Sequence, residues 1–318
     1  MSWRAWARSD PPDSSHGLRL NANSHHCSLM RTGPDLPLIL LRQGPWTIEI
    51  ADPRPDPFAL GARYVHGGYI HGILRDGRRL TGRAGLGWNS VDGEGAPDSF
   101  ELDLAFAHAE PGDSFMRIGA GRVVRDGGPR RFYSQLDLGL TWEVVEHSEA
   151  HLVMRTRDLI WRRGQEFAYE LTRAVRVRDD GLDSTTTLAL RTPWNHPLSW
   201  FPHAFWAHTA LDATGYALPA AATPTGNVIQ DAQGLWRLRP SGGEQGIAVV
   251  TGLWGHCGSI DCQLDAALGG GAVRMTLDRP WDHVVLWASR RATSAEPLLS
   301  RIWPRNDTAS WTIGYTWL

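Results

Sequence analysis

The chemistry open to this chain is narrowed first by residues it lacks. No lysine occurs, so Schiff-base catalysis through an amine and a Gly-x-x-x-x-Gly-Lys phosphate loop are both excluded. The three cysteines, Cys27, Cys257 and Cys262, leave an odd thiol under any pairing. That suits a reducing compartment better than a disulfide scaffold. His25-His26-Cys27 and the run from His256 to Cys262 hold metal-binding side chains, but neither completes a tetrahedral set at ligand spacing. There is no Gly-x-Ser-x-Gly elbow and no His-Glu-x-x-His pair. No metal and no cofactor is therefore expected.

Proton transfer by histidine and carboxylate remains. His203 lies between Phe201 and Phe205, and Glu296 is followed by Pro297, Leu298 and Leu299. Such neighbours exclude water. An imidazole titrates near neutrality without help, and a carboxyl buried beside apolar groups is raised toward the same range. Each residue has an ordinary alternative: a satisfied core histidine and a solvated glutamate at a strand end. Arg63 sits among small and aromatic residues, where an unpaired charge is costly. It either forms a structural ion pair or points at a ligand hydroxyl. Asp282-His283 looks like a dyad, but adjacent residues in a strand face opposite ways.

The elements that would position these groups read as strands. The segments 36–41 and 46–52 are short apolar or alternating runs, ended by Gly and Pro. Alternation recurs at 100–109, 138–146, 151–161, 167–177 and 184–192. Asp180-Gly181 between two such runs marks a hairpin. The pattern continues at 236–240, 246–253, 272–277, 282–289 and 310–318, and no long capped helical period appears. Many short strands imply an all-β chain, a large antiparallel β-sandwich. Residues 1–34 differ: rich in Ser, Asp, Pro, His and Asn, they read as a loose N-terminal extension to a domain spanning 35–318.

Composition sets the remaining bounds. Apolar residues make up 42% of 318, enough for a sizeable core. A net charge of −2 with no basic stripe argues against nucleic acid. The apolar run Leu38–Leu41 is too short for a signal core or a membrane span, so the reading is cytoplasmic. Sixteen tryptophans are expected mostly to fill the core, with a few lining a groove where a sugar ring stacks.

Four segments, in order, resemble the aldose 1-epimerase (galactose mutarotase-like) family. Residues 59–82 resemble an early Arg-Phe-x-x-x-Gly-x-Ile segment, with Arg63, Tyr64, Gly68 and Ile70 on the matching positions. Residues 112–125 resemble a Gly-Asp-x-Phe stretch, with Arg117 where relatives carry lysine. Residues 196–206 are similar to the strand holding the family's acid histidine, here His203. Residues 282–318 are similar to the C-terminal part, where Glu-Pro carries the base, here Glu296-Pro297. The family's Asn-Arg-Ile and Leu-His-Gly-Gly segments have no counterpart, so a second active-site histidine is not placed by motif. His66 and His71 are the nearby candidates.

The resemblance implies a galactose mutarotase-like supersandwich and a metal-independent isomerase interconverting sugar anomers. His203 would act as acid and Glu296 as base, with Arg63, His66, His71 and Arg117 binding substrate. The alternatives are a non-catalytic carbohydrate-binding protein, or the fold recruited for isomerase or lyase chemistry on another ligand. A catalyst needs imidazole and carboxylate facing one pocket across a ring-sized gap. The expected partner is a small molecule, a sugar, with no nucleic acid and no membrane.

Overall fold

The computed structural model describes residues 36–83, 93–101, 103–127, 136–210, 213–239, 246–251, 258–289 and 291–318. The N-terminal extension and the His25-His26-Cys27 run lie outside them, as do His256 and Cys257. The alternating runs become antiparallel strands because one face of each buries apolar side chains while the other meets solvent or a polar partner. In Gln165–Arg178, Leu171, Val175 and Val177 point inward and are buried. Its hairpin partner Gly181–Arg191 sets Leu188 opposite Leu171. Gly181 opens that strand at a φ of 152° because a Cβ there would collide with the Tyr315 carbonyl of the next strand.

Two large sheets result. The ten-stranded sheet runs edge to edge through Val228–Gln230, Trp236–Leu238, Gly215–Ala217, Ser259–Gln263, Ala272–Leu277, Thr308–Trp317, Gly181–Arg191, Gln165–Arg178, His151–Arg162 and Glu143–His147. The seven-stranded sheet runs through Thr223–Gly226, Gly246–Thr251, His283–Ala288, Ala292–Trp303, His196–Pro202 and Asp98–Phe100, with Trp206–Ala207 also paired to Ala292–Trp303. A four-stranded sheet at Leu38–Arg79 and a three-stranded sheet at Ser114–Gly139 complete the described strands.

The core lies where the two large sheets face each other. Trp200 and Trp303 of one sheet meet Trp311 of the other edge-on, with ring centroids 5.4 and 5.8 Å apart. Trp206 meets Tyr315 in the same way at 5.8 Å. All five are buried, and each contributes roughly 1.5–3 kcal/mol of apolar burial. Among the described residues the tryptophans mostly fill the core, although Trp161 and Trp194 reach solvent. Among the described residues there is no α-helix, and none is long and apolar enough to cross a membrane.

Two expected strands differ. The alternation at 100–109 yields only Asp98–Phe100 as strand. The chain then breaks at Ala105, which takes a left-handed φ of 65°, and closes a 3-10 turn at Phe106–His108. Leu104 still reaches the core through a bridge to Met116. Asp103, Leu104 and Ala105 are buried in succession, so the apolar alternation of the sequence here is not an alternation of inward and outward side chains. The run at 138–146 is likewise divided between Leu136–Gly139 and Glu143–His147, in different sheets, with Leu140 and Trp142 buried between them.

Candidate functional site

The site forms where a ladder opens. Strands His196–Pro202 and Ala292–Trp303 are neighbours in the seven-stranded sheet, and their pairing runs from His196↔Trp303 to Trp200↔Leu299. Pairing resumes, in the same register, at Trp206↔Thr293. Between these points the two strands part. The backbone N–H groups of His203 and Phe205 turn to the other side, donating to the carbonyls of Pro97 at 2.7 Å and Gly95 at 2.9 Å. Carrying the register across the opening sets residue 203 opposite residue 296. His203 is therefore the first residue past its strand, and Glu296 lies inside its strand, not at an end.

His203 is 2% exposed and Glu296 5%. Imidazole Nδ1 stands 2.9 Å from Glu296 Oε1, a close contact outside hydrogen-bond geometry. The other nitrogen, Nε2, lies 2.8 Å from Ser99 Oγ. Ser99 belongs to Asp98–Phe100, which flanks His196–Pro202 on its free side, opposite Phe201. Both ring nitrogens are thus engaged by groups from the two flanking strands. Aromatic rings wall the imidazole: Phe201 at 4.5 Å, Tyr64 edge-on at 5.3 Å and Phe205 stacked at 5.8 Å. Trp287 stands edge-on to Phe205.

A buried ion pair lies next to this group. Arg173, from the ten-stranded sheet, contacts Asp98 and also bonds Thr186 and, at 2.8 Å, Ser184. Burial pushes the Asp98 carboxyl up, and Arg173 opposes that rise. Gly68, at a φ of 64°, packs its backbone against Arg173, whose Cβ an added methyl would meet at 3.2 Å. The turn at Gly67-Gly68 therefore allows the segment bearing Tyr64 to approach.

The other sequence-derived candidates divide. Arg63 lies over the Tyr64 ring at 5.1 Å, one ring away from His203. His66 is fully buried, and its Nε2 bonds the Gly61 carbonyl at 2.6 Å. Burial brings its imidazole down to about 4. His71 Nε2 lies 3.7 Å from Glu94, which also receives Arg83, and burial lowers His71 as well. Arg117 is 4% exposed, pairs with Asp103 at 3.4 Å and donates to the Ala62 carbonyl at 3.2 Å. These contacts tie His66 and Arg117 to the backbone of the 61–66 segment. Cys262 is buried, and burial pushes its thiol up, so it is not a reactive thiolate.

Ser99, Asp98 and Arg173 escape a reading of the sequence. Ser99 and His203 are 104 residues apart, and no local spacing marks them. The expected ring-sized gap is not observed: imidazole and carboxylate touch. What the arrangement can do is exchange protons between a histidine and a carboxylate in a buried aromatic setting. Among the described residues, no three His, Cys, Asp or Glu side chains gather as a metal site.

Neither a family model nor a curated protein matches the chain. Solved structures do. An aldose 1-epimerase candidate from Escherichia coli K12 superposes with a TM-score of 0.56 at 14% identity, over 89% of this chain and 100% of its own. A galactose mutarotase related enzyme from Lactobacillus acidophilus gives 0.55 at 9% identity, over 89% and 97%. A galactose mutarotase-like protein from Lactobacillus casei gives 0.53 at 12% identity, over 89% and 100%. The chain has the galactose mutarotase-like fold.

Proposed function

We propose that this protein is a carbohydrate-acting acid/base enzyme of the aldose 1-epimerase type, interconverting the anomers of a free sugar. The observation that carries the reading is the buried contact between His203 and Glu296 at the centre of the ladder opening. Glu296 takes the proton of the anomeric hydroxyl while His203 gives one to the ring oxygen. The ring opens, the C1 carbon turns, and the two transfers reverse. For this to happen the sugar must part the two side chains, which touch in the free protein. The fold's likeness to structures named as mutarotase-related supports the substrate class. The odd cysteine count supports a cytoplasmic site of action.

The test follows anomer interconversion of freshly dissolved α-D-galactose and α-D-glucose by proton NMR, with EDTA present throughout. His203→Asn and Glu296→Gln should each lower turnover by roughly 10² to 10⁴. The double variant should be little worse than the poorer single one, because groups that act as a unit are not additive. Turnover within a few-fold of wild type in both single variants would remove the assignment. Loss of wild-type activity to EDTA, restored by a divalent ion, would overturn its metal independence. The closed contact favours one second reading, a carbohydrate-binding protein without chemistry. Sugar binding with no interconversion, unchanged in both variants, would identify it.

A further inference from the structure

We infer that Ser99 is a positioning residue that accepts a hydrogen bond from His203 Nε2–H and so confines proton exchange to Nδ1, the nitrogen facing Glu296. This deepens the acid/base reading of the same site and rests on it. The two nitrogens have different neighbours: Ser99 Oγ at 2.8 Å from Nε2, and Glu296 Oε1 at 2.9 Å from Nδ1. A serine hydroxyl can donate or accept, so the distance alone does not give the direction. Proton bookkeeping does. An imidazole acting as acid starts with hydrogens on both nitrogens. When Nδ1 passes its proton to the sugar ring oxygen, the C1–ring-oxygen bond breaks and Glu296 takes the proton of the C1 hydroxyl. The product is the open-chain aldehyde, and the ring that remains carries its hydrogen on Nε2. The reverse steps restore both partners.

Nε2–H therefore persists through the cycle, in a ring 2% exposed, and needs an acceptor there. Ser99 is placed to be that acceptor. Exchange through Nε2 would instead send the proton toward Ser99, away from Glu296, and the two transfers would not fall on one substrate. The backbone around Ser99 is held in place. It faces Phe201 in the ladder, and its neighbour Asp98 is clasped by Arg173 from the opposite sheet. The hydroxyl thus keeps its place while the sugar displaces Glu296 from the other side of the ring.

The experiment has a spectroscopic arm and a kinetic arm. Long-range proton–nitrogen correlation spectra of the ¹⁵N-labelled full chain are recorded across pH, with His203 assigned by its loss in His203→Asn. The expected result is a neutral His203 in the Nε2–H tautomer, with Nδ1 the nitrogen that changes on titration. A neutral ring with hydrogen on Nδ1 and a bare Nε2 would overturn the inference. In the kinetic arm, with α-D-galactose and α-D-glucose as probes, Ser99→Ala should cut turnover roughly tenfold with little change in KM, the kinetic equivalent of one lost buried hydrogen bond. Ser99→Thr keeps the hydroxyl and should return to within a few-fold. Unchanged turnover in Ser99→Ala, where His203→Asn is impaired, sinks the inference and spares the acid/base reading. Unimpaired His203→Asn and Glu296→Gln sink that reading, and with it any part for Ser99 in the reaction. Where the probes are not turned over, or Ser99→Ala does not fold, the wild-type spectrum decides.

Discussion

His66 is a buried imidazole held at about 4, against an ordinary 6.5, because burial penalises its charged form more than the Gly61 carbonyl favours it. Its folded value lies below its unfolded one. The unfolded chain therefore takes up a proton first as pH falls. The contribution of His66 to stability is complete above about 6.5, drains away between 6.5 and 4, and amounts to on the order of 3 kcal/mol. Urea unfolding of wild type should weaken through that window, and His66→Gln should show a shallower slope. Equal slopes would assign the acid sensitivity to other groups. At this scale the sequence is only partly readable. His203 and Glu296 are visible because an aromatic frame and a Glu-Pro step surround them. Ser99, Asp98 and Arg173 are invisible because only the pairing of distant strands brings them together.

Strands carry the site through register. Asp98–Phe100, His196–Pro202 and Ala292–Trp303 lie side by side, and the opening between the last two keeps one register on both sides. Alternation of apolar residues foretells such strands where one face is buried along the whole run, as in Gln165–Arg178. It misleads at 100–109, where the chain turns at Ala105 and closes a 3-10 turn instead. It carries no sign of a ladder opening, since Pro202 to Phe205 remain apolar or aromatic apart from His203 itself. The strand Asp98–Phe100 is tied to the opposite sheet by the Asp98–Arg173 pair, both partners 2% exposed at the side chain. Arg173→Met would leave a buried carboxylate without its cation, at a cost of roughly 3–5 kcal/mol. Arg173→Met combined with Asp98→Asn should recover much of that loss. Denaturant midpoints at constant m would measure both. A double variant as weak as Arg173→Met alone would mean that shape, not charge, is what the pair supplies.

For the whole molecule, the all-β architecture was legible because strand runs follow one another with Gly and Pro between them and no capped helix interrupts. The partition of those strands into sheets was not, because partners such as Gly181–Arg191 and Thr308–Trp317 are far apart in sequence. Ile48, Leu171, Leu188, Trp200 and Trp311 belong to one buried cluster, and the sequence of residues 1–34 has no apolar period with which to join it. Deletion of residues 1–34 should therefore leave the fold intact, with a thermal midpoint within a few degrees of the full chain, or roughly 1 kcal/mol. A large fall in scanning calorimetry would show that the extension contributes to stability.

The edge-on contacts of Trp200 and Trp303 with Trp311 also make the sandwich an optical instrument. Two of these indoles ride on one sheet and the third on the other, so the transitions of Trp311 couple to those of Trp200 and Trp303 only while the sheets are docked. Trp46 and Trp317 form a further coupled pair, so it is the part of the circular-dichroism bands lost in Trp311→Phe that reports the meeting of the two sheets and not strand content. Followed during refolding, it would time that meeting separately from the formation of each sheet.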